Sequence, residues 1–147
     1  MKKTYTASIL AEYIVSFCKE INQPVTNLQL QDILYHIQKR TLANSNRPAF
    51  YDDFEAWQTG PVVPNVYYKY CGYGIMPITP YHTRTTDTIL TTTDTSFVNA
   101  IIQERIILKP WDIVKEYQNP NNAWVKIIHK KKNYKEIIPI SLIQNNQ

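Results

Sequence analysis

Apolar residues recur at helical spacing from the start of the chain. Ile9, Leu10, Tyr13, Ile14, Phe17 and Ile21 share one face and predict an amphipathic helix over 7–21, ended by Asn22, Gln23 and Pro24. Thr26-Asn27-Leu28-Gln29 then has the form of a capping box, in which Thr26 accepts from the Gln29 amide and the Gln29 side chain reaches back. A second helix follows to about Ala43, with Leu30, Ile33, Leu34, Ile37 and Thr41 on its core face, and Asn44-Ser45-Asn46 closes it. The short link makes these two helices antiparallel neighbours.

The pattern breaks at EAWQTGPVVPNVYYKY, Glu55 to Tyr70. An element that starts near Tyr51 closes at Ala56 and Trp57. Gly60 and Val63 each precede a proline and are pushed toward extended backbone. Pro64 suits the first turn of a helix carrying Val66, Tyr67 and Tyr70 on one side, and Gly72 stands where a helix C-terminal glycine belongs. The stretch therefore predicts a rigid connector that lets two aromatic-rich elements face one core.

Residues 79–96 are about half threonine, a β-branched residue that favours strands. With Asp87 at the turn they predict a small hairpin, with a mobile loop close behind. Helical spacing returns at Phe97, Val98, Ile101, Ile102 and Ile106, after Asp94 to Ser96 as caps. Pro110 opens a shorter helix with Trp111, Val114 and Tyr117. Asn119-Pro120-Asn121-Asn122 breaks it, and Trp124, Ile127 and Ile128 begin another, so that C-terminal helices span 97–132. The tail IIPISLI fits a strand or a last short helix. No segment repeats. The expected fold is mostly α, a compact helical single domain over 1–147 with a minor β-hairpin element.

Composition narrows the class. The chain has 147 residues, 44% apolar and 12% aromatic, which suits a folded core rather than a disordered segment. Two cysteines, Cys18 and Cys71, make no disulfide framework and read as reduced thiols. The opening MKKTYTASIL lacks the apolar run and cleavage site of a signal peptide. No stretch approaches the roughly 18 uninterrupted apolar residues of a membrane span. The expectation is a cytoplasmic protein with no membrane partner. The net charge of +4 sits near the C-terminus, in Lys126, Lys130, Lys131, Lys132 and Lys135 against Glu136 alone. That run reads first as a solvated helix end and second as an anion-binding segment.

Catalytic chemistry is sparse. His36, His82 and His129 lie far apart, with no pair at metal-ligand spacing, and His36 reads as a packed or surface histidine. Nothing local activates either thiol, and Cys18 reads as a small core residue. Asp52, Asp53 and Glu55 read as solvated acids. Phosphate-binding, dinucleotide, serine-hydrolase and zinc-protease patterns are all missing, so no enzyme and no cofactor is expected. Trp57, Trp111 and Trp124 read as core anchors, with an exposed aromatic patch as the competing reading. Eleven tyrosines exceed what one core of this size hides, and Tyr67, Tyr68 and Tyr70 are expected to reach a surface and meet a protein partner.

These stretches resemble the Panacea domain family, which includes SocA-like antitoxins and phage-associated proteins. Leu30-Gln31-Asp32-Ile33-Leu34-Tyr35, with Gln38 after it, is similar to the family's Leu-Gln-Lys-Leu-Leu-Tyr helix. Ala56-Trp57, Gly60-Pro61-Val62, Tyr67, Tyr70 and Gly72 are similar to its Ala-Trp, Gly-Pro-Val and tyrosine segment. The likeness is strongest over 7–74 and weaker from Trp111 to Trp124. Asp32 departs from it by standing where the family usually has lysine, Ala123 by standing where proline is common, and the threonine-rich segment matches nothing in it. The resemblance implies an antitoxin that neutralises a cognate toxin by direct contact. The toxin would be the product of the adjacent gene, and a protease is a further implied partner. The alternative is a DNA-binding regulator that uses the basic C-terminal run. Nucleic acid ranks below a protein partner because the charge is confined to one segment rather than spread over a face.

Overall fold

The computed structural model describes residues 1–131 and 135–145. Ten regular elements follow in order: α1 (Ala7–Glu20), α2 (Asn27–Ser45), β1 (Phe54–Trp57), β2 (Gly60–Val62), α3 (Pro64–Tyr70), α4 (Thr92–Arg105), α5 (Pro110–Tyr117), α6 (Ala123–Lys131), β3 (Glu136–Ile138) and α7 (Ile140–Asn145). Helix α2 is the hub, touching α1, α3, α4, α5, α7 and β2. Its start is the expected capping box: the Gln29 amide donates to Thr26 Oγ1 at 3.2 Å, and the Thr26 amide donates to Gln29 Oε1 at 3.0 Å. Leu30, Ile33, Leu34 and Ile37 are fully buried along it, against Leu10, Tyr13 and Ile14 of α1 and Val98, Ile101 and Ile102 of α4 in one core. Burying each such aliphatic side chain is worth about 1.5–3 kcal/mol, which makes α2 the main source of cohesion.

The sheet is small and antiparallel, in the order β2-β1-β3. β1 and β2 form a hairpin in which Trp57 faces Gly60 and Glu55 faces Val62. β3 adds to the other edge, with Phe54 opposite Ile138. Alternation along β1 buries Phe54 and Ala56 and leaves Glu55 and Trp57 half-buried. The turn residues Gln58 and Thr59 lie at negative φ, a conformation that would splay the strands. Gly60, at φ +139°, takes up the mismatch with a backbone open almost only to glycine. The tail is both things its sequence fits, first strand β3 and then helix α7.

The hairpin therefore lies at 54–62 and not in the threonine-rich segment. Residues 79–96 hold a single 3₁₀ turn, Thr86–Thr88, and then the first turns of α4. Threonine's preference for strands is realised only where a partner strand packs against it. Here Thr91 instead caps α4, its Oγ1 accepting from the Asp94 amide at 3.3 Å.

Asp94 is not a cap but a clamp. Only 1% exposed, its carboxylate accepts from the Lys2 amide at 2.7 Å, the Lys3 amide at 3.2 Å and the Tyr5 hydroxyl at 2.8 Å. Tyr5 continues the attachment through its amide, which donates to Ala49 O at 2.7 Å. Burial works against the Asp94 charge, but these hydrogen bonds prevail and hold its pKa below the usual 3.8. The stability this carboxylate adds is thus present above its unfolded value and fades as pH falls through the lower folded value. Asp94→Asn should lose about 1.5–3 kcal/mol at neutral pH. Denaturant titrations should show the gap to wild type narrowing below about pH 4; a gap that stays constant with pH would rule out an ionised clamp.

Candidate functional site

Two glutamines of α2 organise the connector. The Gln31 side-chain amide donates to Asn27 Oδ1 at 3.1 Å while its Oε1 accepts from the Val63 amide at 2.9 Å. Asn27 in turn donates to Tyr67 O at 3.1 Å. Two turns along, Gln38 mimics a strand edge: it donates to Phe50 O at 2.9 Å and accepts from the Ala49 amide at 2.8 Å. Gln38 thus pairs two backbone groups and Gln31 one, groups that burial would otherwise leave without a partner. The helix motif and the Gly-Pro-Val motif are thereby joined directly.

Where they meet, an apolar groove of about 360 Å³ opens. Asn27, Leu28 and Gln31 line it from α2, Gly60, Pro61 and Val62 from β2, and Tyr67 from α3, while Pro110, Ile113 and Tyr117 complete it from α5. Ile75, 93% exposed, stands on its lining. Trp57, Tyr67 and Tyr68 form an aromatic triad beside it, with ring centroids 4.8–5.9 Å apart. Tyr68 is 57% exposed, and Trp57 and Tyr67 are half-buried.

A buried charge cluster lies below the groove. Arg105 clamps Asp32 with Nε to Oδ2 and Nη2 to Oδ1, both at 2.9 Å, and Nη2 also reaches Glu116 Oε2 at 2.8 Å. The Tyr117 hydroxyl donates to Asp32 Oδ1 at 2.8 Å. His36 Nε2 stands 3.5 Å from Asp32 Oδ1 and 3.4 Å from Glu116 Oε1, longer than a well-formed hydrogen bond. His36, with Arg105 behind it, holds the Glu116 carboxyl down to about 2 against the opposing effect of burial. The same two carboxylates raise the Arg105 pKa further, against its own burial. This cluster was invisible in the sequence. Asp32, the position where the motif departs in charge, is an interior ion-pair partner and not a surface group.

The other motif residues are mostly structural. Leu30, Leu34, Tyr35 and Ala56 are buried, and Tyr35 packs edge-on against Phe54 and Tyr117. Trp124 is buried, with Nε1 donating to Trp57 O at 2.6 Å. Three expectations need correction. Tyr70 is only 7% exposed because it sits on the inner face of α3, so it offers no partner surface. Gly72 lies inside a 3₁₀ turn, and Gly74, at φ +59°, ends that turn instead. Trp111 is 65% exposed, since Ile113 and Tyr117 turn the inner face of α5 and leave the tryptophan opposite.

The basic segment divides. Lys126 is exposed on α6, and Lys135 stacks its ammonium 4.7 Å from the Trp57 ring centre. Lys132 and the side chains of Lys130 and Lys131 lie outside the described residues. The acids read as solvated are partly used: Asp52 Oδ1 accepts from the Ala7 amide at 2.9 Å, and Glu55 Oε1 accepts from Trp57 Nε1 at 3.1 Å. Burial pushes the Cys18 thiol up to about 12, which makes it a poor nucleophile. Among the described residues no group of three His, Cys, Asp or Glu side chains could hold a metal, and no helix is long and apolar enough to cross a membrane.

The pattern of the Antitoxin SocA-like, Panacea domain family matches residues 30–125, well over half of the chain. The chain belongs to this family. Antitoxin SocA of Caulobacter vibrioides (strain NA1000 / CB15N) is 38% identical over 61 residues, covering 42% of this chain and 32% of that protein. The chain thus matches about a third of the length of this relative. No solved structure matches. The matched Panacea region begins at Leu30, takes in the charge cluster and all of the groove lining except Thr26, Asn27 and Leu28, and ends one residue past Trp124.

Proposed function

We propose that the chain is an antitoxin that neutralises a cognate toxin, the product of the adjacent gene, by direct contact at the groove and its aromatic rim. The observation that carries this reading is that motif residues far apart in sequence, Gln31, Gly60 to Val62 and Tyr67, wall one open groove instead of dispersing through the core. Tyrosine and tryptophan at such a rim are the side chains that dominate protein–protein binding energy. Presentation of the bound toxin to a protease extends the same role and would appear as a shorter toxin half-life in cells that carry the chain.

The test is growth of cells expressing the adjacent gene, alone and with this chain. The neighbour alone should arrest growth, and the chain should restore it and co-purify with it. Tyr68→Ala, at an exposed position, should weaken the purified complex by about 2 kcal/mol, or roughly 30-fold. A harmless neighbour with nothing co-purifying would refute the antitoxin role.

A further inference from the structure

The margin of the groove carries a charge pattern that narrows its occupant. Lys135 lies over Trp57, which packs on the groove-lining Tyr67. Lys109 lies 5.2 Å from the ring centre of Trp111 and directly precedes Pro110, another lining residue. Both lysines and Trp111 are exposed, and among the described residues neither lysine forms an ion pair. The carboxylate that reaches the lining, Asp32, is taken up by Arg105 and Tyr117. Next to the apolar groove stand two ammonium groups held over tryptophan rings, one over Trp111 beside Pro110 and one over Trp57 beside Tyr67, and neither is in an ion pair among the described residues.

We infer that the groove takes an acidic–apolar segment of a protein partner: an aliphatic or aromatic side chain seats against Leu28, Tyr67 and Ile75, and neighbouring Asp or Glu carboxylates meet Lys109 and Lys135. This rests on the antitoxin reading only in naming the toxin as the source of the segment. A peptide fits better than a nucleic acid because the walls are aliphatic as well as aromatic, whereas single strands are held by successive aromatic faces left open for stacking. Complementary charges at the edge would steer encounter and favour partners with an acidic surface.

The experiment selects a random-peptide phage library on the immobilised full chain, with counter-selection on Lys109→Glu/Lys135→Glu. Enriched peptides should pair Leu, Ile or Phe with adjacent Asp or Glu. A synthetic copy should bind the wild type and lose about tenfold or more in affinity on the double reversal and on Ile75→Asp. All three proteins should melt alike, as expected for exposed positions. Failure to enrich, enrichment of basic or uncharged peptides, or an affinity unchanged by the reversal would overturn the inference. So would a single-stranded DNA oligonucleotide that binds in place of peptides and is released by the same reversal. The two readings separate cleanly. If the double reversal still rescues growth and binds the toxin, the groove assignment falls and the antitoxin role stands. If acidic peptides bind but the adjacent product is harmless, the antitoxin role falls and the groove assignment stands.

Discussion

Arg105→Met should remove about 3–5 kcal/mol of folding stability and lower the melting temperature by roughly 6–20 °C. The guanidinium is the main counter-charge to Asp32, whose carboxylate lies in the interior between α2, α4 and α5. Methionine fills much of the same space but leaves that negative charge uncompensated, and this makes breaking a buried pair far more costly than exchanging both members. Asp32→Asn in the same chain should recover about half of the loss, because the amide is neutral and its oxygen can still accept from Tyr117. The acid limb should change as well. In the wild type, the stability from Glu116 is present above its ordinary value of 4.5 and is lost as pH falls toward about 2; without Arg105 the share owed to that pairing disappears. Chemical denaturation of the two variants across pH measures all three effects. A single variant as stable as wild type, or a double variant no better than the single, would show that the cluster does not hold the helices together.

Gly60→Ala should cost about 2–4 kcal/mol, from two separate causes. At φ +139° an L-residue is strained whatever space surrounds it. In addition, an added Cβ would stand 3.1 Å from Tyr117 Cδ2, so the ring must give way. Moving that ring strains the hydroxyl bond to Asp32, and the hairpin is in this way coupled to the charge cluster. The prediction separates from plain backbone strain through Tyr117→Phe, which removes the hydroxyl in advance. The cost of Gly60→Ala measured in that background should be smaller than in the wild type. Equal costs would show that the turn and the cluster are independent.

Features set by nearby residues were legible in the sequence. Thr26 and Gln29 are three positions apart and form the box their spacing predicts; Pro64 starts α3 and Pro110 starts α5. The helical faces of α1 and α2 also follow directly from apolar spacing. Most of the features that failed depend on distant partners; the Thr91 cap, three positions from the Asp94 amide, is the local exception. Asp32 and Arg105 lie 73 positions apart, so nothing in the local pattern distinguishes them from surface charges. Asp94 resembles a cap because its real partners are Lys2, Lys3 and Tyr5 at the far end of the chain. The threonines around Thr91 follow the opportunity to cap a helix rather than their strand preference. For the groove, the sequence supplied the motif residues Gln31, Gly60 and Tyr67, but the contribution of α5 and the outward position of Trp111 required the folded arrangement.

The sheet order has a consequence for the newborn chain. β1 lies between β2 and β3, and its residue Phe54 meets Ile138, 84 positions later. At roughly 5–20 residues per second, a ribosome needs about 4–17 s to make the intervening segment. Throughout that interval the hairpin has one bare edge, and until Trp124 is made the Trp57 carbonyl lacks its partner. Bare edges and exposed apolar surface are what chaperones and proteases engage. Until that last strand arrives, each new copy presents a strand edge that such factors can engage.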